Sequence, residues 1–556
     1  MNVCEALIDV LADHGVKHIF GVPGDAINEL IEAIRRQDRI KFIHVMHEEA
    51  GAFAAGAQAK LTGELAVCVG TAGPGAIHLL NGLYDAKMDH APVLAITGQV
   101  ETSLIGTSYQ QEVDLIKLFS DVAAYNQCVI NSAQMPEMAT LACQVAIAKC
   151  TVSHISIPVD LSVQKVKEYK KKKQFLRNNA QMVPNKAELL HAAELIDKSE
   201  KPCILAGIGA RNAVNELIEL AETIKAPVIK ALRGKDLLPD EHPLTLGGIG
   251  LLGTKPAYHA IKNCDLLLMI GTDFPYSDFF PDNAQTIQLD NAFHRIGRRH
   301  PVDLPLVGDT RLTLQELLPM ISGKKNAAFL EESQKLMEDW LKEQDEKELS
   351  GDKPIHPQSL ARAVSELAAK DAIICCDTGE VTVWGARNFR LREEQRFTLS
   401  GHLATMAVGL PAAIGAQIRF PGRQVIALCG DGGFAMLMCD FATAVKYNLP
   451  IKVFIFNNSK LGLIKVEEEA RAGNPEYETE LHNPDYAAFA EACGGTGFTV
   501  TEPEQLRSVI AKALDESKPC IVNVFVDPGE LPWPPKVSAT EAYNYIKAKI
   551  TEYFAK

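Results

Sequence analysis

Asp431 follows the apolar run "QVIALC" and stands between Gly430 and the pair Gly432 and Gly433, ahead of the helical pattern "FAMLMCDFATAVKY". A carboxylate at the mouth of a buried strand is costly when desolvated and unpaired, so it needs a partner. A strand end that runs into a helix is where open α/β sheets bind ligands. Glycines there admit close backbone approach, and the free N–H groups of the helix start attract an anion. An aspartate in that place repels a phosphate unless a divalent cation lies between them, and Mg²⁺ takes carboxylate and diphosphate oxygens together. A second oxygen ligand should then come from the next strand end. "IKVFIFNNSKLG" ends in Asn457 and Asn458, and Asn458 lies 27 positions after Asp431, room for one crossover helix and one strand. Taken singly, Asp431 reads as a helix cap and Asn458 as a turn residue. Together they point to a metal and diphosphate seat.

The elements that must carry these residues are strands alternating with helices. "HIFGVPG", "FIHVMH", "LAVCVGTAGPG", "PVLAITG" and "HISIPVD" punctuate residues 1–165, which predicts a parallel sheet covered on both faces. "PCILAGIG", "APVIKAL", "LLLMIGTD" and "TIQLD" mark a second such unit, and "AIICCDTG", "QVIALCGDGG", "IKVFIFNN" and "CIVNVFVD" a third. The expected fold is α/β, three doubly wound parallel-sheet domains in series, at 1–180, 181–335 and 350–530, with a helical tail at 531–556. The lysine-rich "VKEYKKKKQF" (166–175) reads as a solvated linker rather than a binding segment. A charged helical connector, "KKNAAFLEESQKLMEDWLKEQDEKELSGDKP", precedes the third unit. In the tail, Tyr543, Ile546, Ile550 and Tyr553 share one helical face; docking onto its own domain is the default reading and a membrane surface the alternative.

With 556 residues, 47% hydrophobic and 23% charged, the chain has the composition of a multidomain globular protein. A formal charge of −14 argues against a dedicated nucleic-acid binder. Thirteen cysteines in no C-x-x-C spacing read as reduced, buried thiols, hence a cytoplasmic expectation, at most peripheral to a membrane. The N-terminus reads as an amphipathic helix running into a strand rather than a signal peptide, and no apolar stretch is long enough to span a bilayer. No G-x-x-x-x-G-K-[ST] occurs, and the lone G-x-G-x-x-G, Gly248 to Gly253, does not open cleanly from a strand.

"GDG" followed at this interval by "NN" resembles the diphosphate-binding motif of thiamine-diphosphate enzymes. The resemblance implies that Mg²⁺ is held by Asp431, Asn458 and the backbone carbonyl of Lys460, and that thiamine diphosphate is bound by Gly432, Gly433, Ser459, Leu461, Gly462, Leu463 and Ile464. Activating this cofactor requires a carboxyl group on its aminopyrimidine. "FIHVMHEEAGAFAAGAQAK" matches the family's H-E-x ahead of a small-residue helix and carries that role to Glu48, with Glu49 left as a dipole cap. Ala404, Thr405 and Met406 stand where the family places the wedge that bends the cofactor. In the family the glutamate serves cofactor held by another subunit, which implies a homo-oligomer, a dimer at least and a tetramer by resemblance.

From near the N-terminus to about Pro535 the sequence is similar to pyruvate oxidases, particularly the quinone-reducing pyruvate dehydrogenase type. That resemblance implies FAD in the middle domain, at Ile249, Gly250, Leu251, Leu252, Thr272, Asp273, Phe274, Pro275, Tyr276 and Asp290, with Gly207 and Gly209 as further candidates. It implies Gln111 and Glu467 near a substrate such as pyruvate or a similar 2-keto acid, which would be oxidatively decarboxylated to acetate or acetyl phosphate. The electrons would pass through FAD to quinone or oxygen. Gln110 and Leu463 depart from the family, which carries Phe at both places. The alternative readings are an acetolactate synthase-like carboligase with structural FAD and a non-catalytic cofactor-binding subunit. No adjacent histidine pair is present to deliver the proton a non-oxidative decarboxylase needs.

Overall fold

The computed structural model describes residues 1–166, 181–392 and 394–555; the lysine-rich segment lies, beyond Val166, outside the described residues. Three six-stranded sheets follow one another along the chain. The first contains β1 (His18–Gly21), β2 (Lys41–His44), β3 (Ala66–Gly70), β4 (Val93–Gln99), β5 (Ala123–Cys128) and β6 (Val152–Pro158), in the order β2-β1-β3-β4-β6-β5. The second contains β7 (Pro202–Ala206), β8 (Val228–Lys230), β9 (Thr245–Gly248), β10 (Leu266–Ile270), β11 (Gln285–Asp290) and β12 (Leu304–Val307), in the order β12-β11-β10-β7-β8-β9. The third contains β13 (Ile373–Cys376), β14 (Arg396–Thr398), β15 (Val425–Gly430), β16 (Lys452–Asn457), β17 (Thr496–Val500) and β18 (Cys520–Phe525), in the order β14-β13-β15-β16-β18-β17.

Every strand pairing is parallel. Central strands are buried on both faces: Val67 and Val69 of β3 belong to one core, Ala66 and Cys68 to another. That is why they read as unbroken apolar runs. The strand order reverses between β1 and β3, between β7 and β10, and between β13 and β15.

Five strands carry no such run: β5, β9, β12, β14 and β17. All five are sheet edges. An edge strand pairs on one side and faces solvent on part of its surface, as the half-exposed β5 and β17 do, so polar residues interrupt the pattern.

The first and third units are closely joined. The helix Glu48–Thr62, almost all alanine and glycine at its centre, packs against the helix Gly409–Arg419. A Cβ on Gly415 would lie 2.3 Å from the Ala54 carbonyl oxygen, and Gln58 Nε2 donates to the Gly415 carbonyl at 3.0 Å. Phe53, Ala57 and Leu61 thereby share one core with Ile373, Val425 and Ile455 of the third sheet. The charged connector forms the helix Ala328–Glu348, whose last residue is buried where Arg390 Nη2 and Asn388 Nδ2 donate to it at 2.5 and 2.9 Å.

The C-terminal helix Ala539–Ala555 docks on its own chain, but through the face opposite to the one expected. Ala548 is fully buried, Lys549 Nζ reaches Glu469 at 2.6 Å, and Asn544 Nδ2 donates to the Arg471 carbonyl at 2.9 Å. Tyr543, Ile546, Ile550 and Tyr553 all point outward, more than half exposed. Polar contacts rather than the apolar row anchor this helix. Among the described residues, no helix is long and apolar enough to cross a membrane.

Candidate active site

A cleft of about 840 Å³ opens at the carboxyl ends of β13 and β15, the point of reversal in the third sheet. Asp431 starts the helix Asp431–Leu437 directly after β15, and Asn458 follows β16. Gly430 pairs with Phe456, so both side chains leave the same edge. Of the residues expected around the diphosphate, Ala404, Met406, Asp431, Gly432, Gly433, Asn458 and the stretch 460–464 line this cleft. Thr405 and Ser459 stand beside it: Thr405 Oγ1 accepts Asn81 Nδ2 at 3.0 Å, and the Ser459 N–H donates to Asp431 Oδ2 at 2.7 Å.

Asp431 is 2% exposed. Burial pushes its carboxyl pKa up, and hydrogen bonds, led by Asn483 Nδ2 at 2.7 Å, pull it back. Tyr486 donates its hydroxyl to the Asp431 carbonyl at 2.9 Å, which holds the turn. Among the described residues no lysine, arginine or histidine pairs with this acid. A buried carboxylate with no protein cation suits a bound one. Asn458 Oδ1 accepts the Lys460 N–H at 3.0 Å, and the Lys460 ammonium is taken up by Glu476 at 2.6 Å. Lys460 therefore has a carbonyl rather than a charge to offer. A carboxylate, an amide oxygen and a backbone carbonyl are the hard donors that Mg²⁺ takes.

Several residues of this cleft escape the sequence reading. Glu380 begins the helix Glu380–Arg387 and accepts Asn458 Nδ2 at 2.6 Å. Burial pushes its carboxyl up to about 7, against the pull of Lys465. Asp377, also pushed up to about 7 by burial, accepts the N–H groups of Thr378 and Val408 at 2.8 and 3.1 Å and so ties down the loop 399–408. The signal for both was present, since "IICCDTGE" repeats the pattern of "IALCGDGG". Asn483 and Tyr486 carry no such signal. Four non-glycine residues around the candidate sites hold left-handed backbone: Gln111 (φ 64°), Ala404 (54°), Ala407 (73°) and Ser459 (53°). Such conformations persist only where the surroundings impose them.

Glu48 is the first residue of its helix and 8% exposed. Its Oε2 lies 3.0 Å from His78 Nδ1, and a Cβ on Gly75 would come within 3.1 Å of Oε1. The His47 ring stacks on His78 at 4.4 Å. Folding, not adjacency in sequence, brings these two rings together. Glu49 turns away and accepts Asn81 Nδ2 at 2.7 Å. Neither Glu48 nor Gln111 lines the Asp431 cleft of its own chain. Gln111 is exposed, with Gly73 packed against its backbone, and Glu467 lies on the surface paired with Arg471 at 3.1 Å.

A second cleft, of about 890 Å³, opens in the middle unit at the β7 and β10 strand ends. Gly207, Ile249, Leu251, Leu252 and residues 272–276 line it. Gly209, Gly250 and Asp290 do not line it: Gly209 packs on Gly271 and Gly250, φ +92°, on the Phe274 ring, both behind the wall, while Asp290 accepts the Ala292 N–H at 2.8 Å within its own turn. The rest of the wall includes His402, which comes from the third unit. His402 Nε2 lies 3.6 Å from Asp273 and Nδ1 3.1 Å from Asp89. These two contacts hold the imidazole pKa above its ordinary value, and His402 in turn holds Asp273 well below the carboxylate range. Asp89 also meets Lys60 at 2.7 Å and Arg233 at 3.4 Å. One loop therefore touches both clefts, with Gly401 and His402 in this one and Ala404 and Met406 in the other.

Comparison with known proteins agrees with this architecture. Residues 1–118 match the thiamine pyrophosphate enzyme N-terminal TPP binding domain, residues 189–317 the central domain, and residues 377–524 the C-terminal TPP binding domain. The chain is 44% identical over 551 residues to YdaP of Bacillus subtilis (strain 168), covering 99% of this chain and 96% of that one; its name assigns it thiamine pyrophosphate and no reaction. It is 34% identical over 537 residues to a pyruvate oxidase of Lactiplantibacillus plantarum, covering 95% and 89%. It is 32% identical over 543 residues to the chloroplastic acetolactate synthase 1 of Nicotiana tabacum, covering 94% and 81%. Matches to all three units in order, over nearly the whole length, make the chain a member of the thiamine pyrophosphate enzyme family.

Proposed function

We propose that the protein is a pyruvate oxidase-type enzyme that decarboxylates pyruvate or a similar 2-keto acid and passes two electrons to FAD, with quinone or oxygen as the final acceptor. The observation that carries this reading is the single loop 401–406 that walls both clefts, because it sets the thiamine-side cleft and the middle-unit cleft beside each other. Thiamine pyrophosphate when bound supplies a nucleophilic carbon and an electron sink, and FAD supplies a two-electron acceptor.

The chain's own residues have distinct tasks. Asp431, the Asn458 amide oxygen and the Lys460 carbonyl would hold Mg²⁺, while the N–H groups at Gly432 and Gly433 would receive the diphosphate. Met406 and Ala404 line the same cleft, Met406 close to Gly432. Glu48 would hold a proton at the aminopyrimidine of cofactor bound by a second copy of the chain, and His78, 3.0 Å from Glu48 Oε2, would orient the carboxyl group. In the middle unit Leu251, Leu252, Phe274 and Tyr276 would give a flavin an apolar bed. Leu463, where the family carries Phe, lines the thiamine-side cleft, and Gln110 is the other departure; both bear on which 2-keto acid is taken.

The test is anaerobic mixing of purified protein, Mg²⁺, thiamine pyrophosphate, FAD and pyruvate while flavin absorbance is followed. Bleaching with CO₂ release is expected. A flavin that stays yellow while acetolactate or acetaldehyde accumulates overturns the oxidase reading. In the same assay Asp431→Asn should weaken Mg²⁺ binding by more than about 100-fold, since even residues that only support a ligand contribute about 10- to 100-fold. Glu48→Gln should slow cofactor C2–H exchange, read by NMR, by about 10²- to 10⁴-fold.

A further inference from the structure

Glu380 reaches from the first turn of its helix across the thiamine-side cleft. Its Oε2 accepts Asn458 Nδ2 at 2.6 Å. Its carboxyl group also lies over Gly462, where a Cβ would come 2.1 Å from Cδ and within 2.3 Å of both oxygens. Asn458 and Gly462 are two of the groups assigned above to the metal and the diphosphate. A diphosphate entering that space meets a carboxylate already bonded to one of these groups and packed on the other. Asp431 lines the same cleft, so two acidic side chains stand at its mouth. Helix N–H groups and glycines invite an anion, whereas two acids at the same mouth repel it. Only a divalent cation reconciles the two, because it neutralises the acids and binds the anion at once.

We propose that Glu380 is an electrostatic gate on the cofactor seat, which turns away diphosphates that arrive without a divalent cation and admits them as metal complexes. The inference rests on the Mg²⁺ and thiamine pyrophosphate reading of the cleft and adds a selection rule to it. Its position in the molecule fits that role: Glu380 touches a metal-holding side chain yet is not needed to complete the donor set.

The experiment is calorimetric binding of thiamine pyrophosphate to the full chain, in saturating Mg²⁺ and in EDTA. Trp384, one turn along the same helix and lining the same cleft, offers a fluorescence readout in parallel. For the wild type, binding should be far tighter with Mg²⁺ than in EDTA. Glu380→Gln keeps an acceptor for Asn458 and removes the charge; it should tighten binding in EDTA at least tenfold and change binding in Mg²⁺ less than threefold. Glu380→Asp keeps the charge and should keep the wild-type ratio, which separates gating from damage to the fold. An unchanged ratio in Glu380→Gln overturns the gate, as does loss of Mg²⁺-supported binding in that variant, which would make Glu380 a metal-holding group. If the wild type binds no thiamine pyrophosphate in Mg²⁺, the underlying assignment of the cleft fails and the gate fails with it.

Discussion

Ala404 holds φ 54° at the point where its loop passes from one cleft to the other. A left-handed conformation costs a residue with a Cβ about 1–2 kcal/mol, and glycine nothing comparable. Alanine at that position therefore trades stability for a stiffer wall. Ala404→Gly should raise the midpoint of thermal unfolding, by about 1 kcal/mol in free energy, while weakening thiamine pyrophosphate binding; scanning calorimetry and a binding titration together check both halves. At this scale the sequence is readable wherever chemistry sits at a strand end. Asp431 and Asn458 are legible because apolar run, acid and glycine form a grammar with a fixed spatial meaning. Asp377 and Glu380 obey the same grammar and are equally readable in retrospect. Asn483 and Tyr486 are not, because they reach Asp431 from a loop whose course depends on tertiary packing. The His47 and His78 stack is hidden for the same reason.

Among elements, the interior strands announce themselves and the edges do not. A strand covered on both faces must be apolar throughout, so pattern and position coincide; β14, three residues long at a sheet edge, has neither length nor continuity to betray it. The alanine- and glycine-rich helix after Glu48 likewise predicts close packing but not its partner. The partner is the helix around Gly415, where the Ala54 backbone occupies the space a side chain would need. Gly415→Val should cost about 1–3 kcal/mol through overpacking and lower the unfolding midpoint. Gly422, with open space around its Cβ position, is the control: Gly422→Ala should leave the midpoint nearly unchanged.

Across the whole molecule, three units meet at one buried cluster of charge. Asp89 and Lys60 belong to the first, Arg233 and Asp273 to the second, and His402 to the third. A net charge of −14 gives no hint of this junction, since only folding brings its members together. Because the folded protein raises the His402 pKa, it binds that proton more tightly than the unfolded chain does. The stabilisation is complete below the ordinary histidine value of about 6.5 and fades as pH rises through the raised value. Asp273, held low, contributes above the ordinary aspartate range and loses its share only in strong acid. Thermal unfolding followed from pH 6 to 9 should therefore show a decline that His402→Asn flattens. An identical slope in that variant would remove His402 from the account.

The stretch from His402 to Met406 is five residues long and contributes to the walls of two clefts. No substitution there can be judged against one cleft alone. In a drifting lineage this segment ties the two clefts to a shared history: whatever change is accepted in the wall of the middle-unit cleft is inherited by the thiamine-side cleft in the same generation.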